Sequence, residues 1–189
     1  MENRKFILLG ISAFLLVSLI GCFGGGGTTE PTPPPTVKTI SFTPSGSPIA
    51  NSVYLEKVST NNDEITLAVK IQGGTNVYAA ALEINFDSSK IQYISALEGT
   101  YLNQGGTITS YSVKLEEGST GVLLIGVSRQ AGAAGVNGNG TIATVVLKAL
   151  TVQTNTSIGF NITSSELKLP AGGGKISGVN WFGGSLSYQ

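Results

Sequence analysis

Six carboxylates in the body of this chain, Asp63, Glu64, Asp87, Glu98, Glu116 and Glu117, are the side chains best suited to acid–base chemistry. A glycoside hydrolase needs two of them at a defined separation inside a cleft. Most of the six stand in expected turns or at strand ends, where a carboxylate ordinarily faces water. Asp87 follows Phe86 at a strand end and reads as a turn cap, accepting from the backbone amides of Ser89 and Lys90. The chain has 0 histidines, which removes the commonest general base and the commonest metal ligand together. No Asp-x-Asp-x-Asp loop supplies the converging oxygens that calcium requires. Gly138-Asn139-Gly140-Thr141-Ile142-Ala143 fits Gly-x-Gly-x-x-Ala, but a dinucleotide fingerprint opens a helix and this one opens a β-patterned run. It is read as a hairpin turn, with Asn and Gly supplying positive φ. No catalytic residue, metal or cofactor is expected, and the chain reads as a non-enzyme.

Aromatic faces are the remaining chemistry. Trp181, with Phe182 beside it and Gly178, Gly183 and Gly184 around it, is the residue best placed to stack on a sugar ring. Such a site needs two or three exposed, coplanar rings, and the tyrosines are spread over different strands. Carbohydrate binding, and with it a polysaccharide partner, is therefore an alternative reading. Asn139, Asn155 and Asn161 head Asn-x-Ser/Thr sequons and are taken as chance.

The elements that would position these residues follow a period of two. Ile65, Leu67, Val69 and Ile71 alternate with Thr66, Ala68 and Lys70. Leu82, Ile84 and Phe86 alternate with Glu83 and Asn85, and comparable runs cover 144–149 and 158–162. Turn residues bound the runs at Gly73-Gly74, Asp87-Ser88-Ser89, Gly105-Gly106, Glu117-Gly118, Gly138-Asn139-Gly140 and Gly172-Gly173-Gly174. Gly121–Ser128 is nearly continuously apolar and predicts a central strand covered on both faces. No stretch sustains an amphipathic helix. About nine short strands predict an all-β, antiparallel β-sandwich.

The N-terminal segment is different. Arg4 and Lys5 precede an uncharged apolar run of 15 residues, Phe6–Ile20, which has the length of a signal-peptide core. It ends in Leu19-Ile20-Gly21-Cys22, which resembles the lipobox of bacterial lipoproteins. That resemblance implies cleavage of 1–21 and a diacylglycerol on Cys22, the 1 cysteine of the chain, so the membrane is reached through the lipid. Residues 22–50 then read as a Gly- and Pro-rich tether and 51–189 as the domain, with 37–50 open between tether and strand. Residue 23 is Phe rather than Asp, which by the lipoprotein sorting rule favours an outer membrane or cell surface. Losing Glu2, Arg4 and Lys5 takes the balance from 11 basic and 11 acidic residues to 9 and 10. A nearly neutral domain has no electrostatic footprint for nucleic acid.

Three segments carry a further resemblance. Asn76–Leu102 has an alternating strand running into Phe86-Asp87-Ser88-Ser89-Lys90-Ile91, then Glu98-Gly99. Gly121–Ser128 is followed by a glycine turn and Ala143-Thr144-Val145-Val146-Leu147-Lys148. Ser164-Ser165-Glu166-Leu167 precedes Gly184-Ser185-Leu186-Ser187-Tyr188. In order and spacing these resemble the cohesin domain family over about residues 50–189. The resemblance implies a nine-stranded jelly roll, a fold shared with some carbohydrate-binding modules, and a partner protein of the dockerin type. The family's docking positions fall here on Ala79, Ala81, Glu83 and Asn85 of one strand, and on Gly126, Ser128 and Arg129 of another. Ala, Gly and Ser are poor interface anchors, so a partner other than a standard dockerin stays open. A structural envelope protein is the remaining alternative.

Overall fold

The computed structural model describes residues 37–116, 121–170 and 173–189. The proposed signal peptide, Cys22 and Glu117 lie outside the described residues. The strands are β1 (Ile40–Pro44), β2 (Ser52–Asn61), β3 (Glu64–Val77), β4 (Ala79–Phe86), β5 (Ile91–Glu98), β6 (Thr109–Leu115), β7 (Val122–Arg129), β8 (Val136–Ala149), β9 (Gln153–Phe160), β10 (Glu166–Lys168), β11 (Asn180–Phe182) and β12 (Gly184–Tyr188). Twelve segments stand where about nine were expected, because β10 and β11 have 3 residues each and β1 comes from the stretch left open.

Two sheets form the sandwich. One has seven strands in the order β1-β12-β9-β4-β7-β6, with β10 also on β4; the other runs β11-β2-β3-β8-β5. Every pairing is antiparallel except β11 with β2, which is parallel. β9 occupies one half of the β4 edge, pairing Ile84–Phe86, and β10 occupies the other half, pairing Ala79–Ala81.

Alternation puts one face of each sheet into a shared core. Val53, Leu55, Ile65, Leu67, Val69 and Ile71 face Leu82, Ile84, Leu123, Ile125, Ile158 and Leu186, all buried. Each such side chain is worth roughly 1.5–3 kcal/mol on leaving water. β7 alternates half-buried and buried residues along its length. The expectation that it is covered on both faces is therefore corrected: its outer face keeps Val122, Leu124, Gly126 and Ser128 half-exposed.

β1 settles part of the open stretch. Ile40–Pro44 pairs along Gly184–Tyr188, and Ile40 is buried. Just outside it, Thr39 and Gln189 exchange backbone hydrogen bonds, N–H to O at 2.7 and 3.2 Å. Residues 40–44, within the stretch read as tether, thus belong to the sheet.

Two expected turns are strand interior instead. β3 runs through Gly73-Gly74 and β8 through Gly138-Asn139-Gly140, and the pair between them is broken by register shifts on both sides of Gly74–Gly138. The chain absorbs these bulges with positive φ at Gly73 (63°), Asn76 (53°) and Gly138 (96°). Side chains replace lost ladder bonds: Asn139 Oδ1 accepts from Gly73 N–H at 2.7 Å and Asn137 Oδ1 from Asn76 N–H at 2.8 Å.

Candidate docking face

The outer face of the seven-stranded sheet brings the sequence-derived positions together. β4 and β7 pair Ala79 with Ser128, Ala81 with Gly126, Glu83 with Leu124 and Asn85 with Val122. β6 continues the rows, setting Ser110 beside Ser128, Ser112 beside Gly126 and Lys114 beside Leu124. Small side chains leave two adjoining, open depressions. One, of about 260 Å³, lies between Ala81, Glu83, Ser112, Leu124, Gly126 and Ser164. The other, of about 320 Å³, lies between Ala79, Ser110, Ser112, Ser128 and Lys168. At Gly126 a β-carbon would stand 2.9 Å from Ser112 Oγ, so the floor has no room for a larger residue without displacement.

The rim is polar and held. Glu83 accepts from Asn161 Nδ2 at 2.8 Å, its amide donates to Ser165 Oγ at 3.0 Å, and its carbonyl accepts from Asn161 N–H at 2.9 Å. These bonds fix the crossing where β9 hands over to β10. The Asn161 hydrogen bond holds the Glu83 carboxyl below its ordinary pKa against the opposing effect of burial, with lesser help from Ser164 and Asn85. Lys168 is ion-paired to Glu166 at 2.8 Å. Asn85 opens onto a polar hollow of about 460 Å³ with Asp87, Lys90, Asn155 and Ser157.

Arg129 does not belong to the face. It has the parity of Ile125 and Val127 and is 8% exposed. Its Nη1 donates to Leu102 O, and its Nη2 to Gln104 O at 3.3 Å and Thr107 Oγ1 at 2.6 Å. Its work is to hold the connection between β5 and β6. Conversely, Ser110, Ser112, Lys114, Leu124 and Lys168 were not singled out from sequence. Ser-Tyr-Ser-Val-Lys at 110–114 alternates visibly, but its place beside β7 is a matter of sheet order.

The other candidates separate. Trp181 is half-buried in β11, its ring 5.3 Å from that of Phe160 and tilted by 53°, packed against the core rather than coplanar with another ring. Asp87 Oδ1 accepts from Ser89 N–H at 3.0 Å and Ser89 Oγ–H at 2.5 Å. Those bonds, the Ser89 hydroxyl foremost, lower its pKa. The amide of Lys90 goes to the Asp87 carbonyl instead of its carboxylate, at 3.0 Å, while the Lys90 ammonium lies 3.3 Å from Oδ2. Asp63 pairs with Lys148 at 3.3 Å, Glu98 accepts from Thr109 Oγ1 at 2.5 Å, and Glu64 and Glu116 stand at strand ends. Among the described residues no three His, Cys, Asp or Glu side chains gather to hold a metal ion.

A two-sheet jelly-roll sandwich with an open outer face of small residues is the class that this fold defines. The Cohesin domain model matches residues 52–173, more than half of the chain, and the protein belongs to the cohesin domain family. Solved structures agree in fold. The second type II cohesin module of an adaptor scaffoldin from Acetivibrio cellulolyticus is 20% identical, with TM-score 0.58, over 71% of this chain and 87% of that one. A type II cohesin–X–dockerin complex from the same organism gives 19% identity and TM-score 0.55 over 68% and 93%. A type II cohesin from Bacteroides cellulosolvens gives 19% and 0.53 over 67% and 91%. No curated protein matches the chain.

Proposed function

We propose that this protein is a non-catalytic docking module, displayed outside the cytoplasm on a lipid carried by Cys22, that grips a partner protein on the outer face of β4, β7 and β6. The observation that carries the reading is the pair of adjoining depressions floored by Ala79, Ala81, Gly126, Ser110, Ser112 and Ser128. A face without large anchors of its own receives the partner's side chains instead, so the energetic anchors belong to the partner. Membership of the cohesin family supports a partner of dockerin type, and one similar solved structure is a cohesin in complex with an X–dockerin. The site residues on this reading are Ala79, Ala81, Glu83, Asn85, Gly126 and Ser128, with Arg129 acting from beneath. Sugar binding through Trp181 draws less support, because its ring leans on Phe160.

The test is capture from the secreted and envelope proteins of the source organism by immobilised residues 37–189, with and without a calcium chelator and alongside Gly126→Arg. A specific protein that is lost on chelation and lost with Gly126→Arg supports dockerin-type docking on this face. Equal capture by the variant moves docking elsewhere, and no capture in either condition counts against the adaptor reading. Growth with labelled fatty acid, comparing wild type with Cys22→Ser, tests the anchor.

A further inference from the structure

The chain contains Asn-Gly twice, at Asn137-Gly138 and Asn139-Gly140, within one strand and 2 residues apart. Asn-Gly is the dipeptide most open to self-cyclisation, because glycine lets its nitrogen approach the preceding side chain. Both asparagines are exposed, and each side-chain carbonyl accepts a backbone N–H, from Asn76 and from Gly73. An N–H on that oxygen polarises the amide carbon and stabilises the oxyanion formed on attack. In these respects the two sites are equivalent.

They differ at the glycine. Gly138 has φ of 96°, pairs only with Gly74 between two register shifts, and has no neighbour within 4 Å of a β-carbon position. No side chain packs over it. Gly140 pairs with Ile71 beside the Lys70–Thr141 pair, and a β-carbon there would lie 2.8 Å from the Tyr101 ring. Tyr101 is buried and its hydroxyl donates to Val136 O at 3.1 Å, so the ring backing Gly140 is itself fixed.

We infer that Asn137 is a site of spontaneous covalent modification and that Asn139, in the same dipeptide, is protected by the fold. The Gly138 nitrogen gives its proton to water and attacks Asn137 Cγ. A C–N bond forms, the Cγ–Nδ2 bond breaks, and the side-chain nitrogen leaves as ammonia. Water then opens the succinimide at either carbonyl, giving aspartate or isoaspartate, with no oxidant or reductant involved. Either product adds a negative charge to a domain with almost none in excess. The isoaspartate also lengthens the backbone where Asn137 holds Asn76.

The experiment incubates the full chain at mildly alkaline pH, folded and in urea, and follows amide loss at each position by peptide mapping, with isoaspartyl methylation as a second readout. The expected result is conversion at 137 several-fold faster than at 139 in the folded chain, and comparable conversion at both in urea. Conversion at 139 as fast as at 137 in the folded chain overturns the inference, as does a folded chain that converts at neither while the unfolded one converts at both. Asn137→Gln, checked for an unchanged melting temperature, removes the isoaspartyl signal from the folded chain if the assignment is right.

Discussion

The guanidinium of Arg129 donates to Thr107 Oγ1 at 2.6 Å, tying the end of β7 to the connection that precedes β6. The same group holds the carbonyls of Leu102 and Gln104. Arg129→Ala leaves the buried Leu102 carbonyl without its donor and empties a buried side-chain volume, at a cost of about 2–4 kcal/mol. Thr107→Val removes one partner and costs about 1 kcal/mol. Urea unfolding of both variants checks this, and a loss under 0.5 kcal/mol for Arg129→Ala contradicts a structural role.

Adjacent residues of β7 have opposite fates. Ile125 is 1% exposed, whereas Leu124 is half-exposed on the outer face. Ile125→Ala is expected to cost about 2–5 kcal/mol through the cavity it leaves. Leu124→Ala is expected to cost about 1 kcal/mol or less and to weaken partner capture instead. Melting curves beside capture assays separate the two, and equal destabilisation denies the register.

At Gly126 the prediction concerns shape. Gly126→Arg fills the floor between Ala81 and Ser112 and abolishes capture. The added β-carbon displaces only the Ser112 hydroxyl, which can rotate aside, so the stability change is modest, about 1 kcal/mol. A variant that melts like wild type yet still binds removes the face from the docking reading.

High pH reaches the interior through tyrosine. Burial pushes Tyr101 and Tyr111 up to about 12. Unfolded tyrosine titrates near ~10. A raised folded value means the folded state keeps its protons longer, so this stability is whole below the unfolded pKa and drains as pH rises through the window from about 10 to about 12. Tyr101→Phe flattens part of that decline, although it gives up the bond to Val136 O. Denaturation midpoints across this window give the measurement, and an identical slope for wild type and variant contradicts the burial of Tyr101.

Deleting residues 37–44 removes β1 and bares the edge of β12. The shortened domain is expected to melt at lower temperature and to self-associate, since an open edge strand is a template for pairing. Unchanged melting and a monomeric sedimentation profile return these residues to the tether.

The long strands were legible because alternation records burial directly: Ile65 to Ile71 and Leu82 to Phe86 point inward as their pattern demands. Parity also carried the truth about Arg129, which follows Ile125 and Val127 two by two, though its charge suggested the surface. Trp181 lay beyond reach. Its strand pairs in parallel with Val53, more than a hundred residues away, and 3 residues hold no period. Asn-Gly and Gly-Gly at 138–140 and 73–74 looked like hairpin turns because bulges use the same positive-φ residues. Of the docking face, β4 and β7 were readable as strands. Their junction with Ser110, Ser112 and Lys168 depended on sheet order, which local sequence does not encode.

Thr39 and Gln189 hold each other at one end of the seven-stranded sheet, so the domain closes on itself like a ring with a single clasp. A short bridge between those residues, with a cut at the exposed Asn62 turn, yields a circular permutant with every strand neighbour retained. The chain's ends would then lie at the opened turn, leaving the geometry of the sandwich untouched.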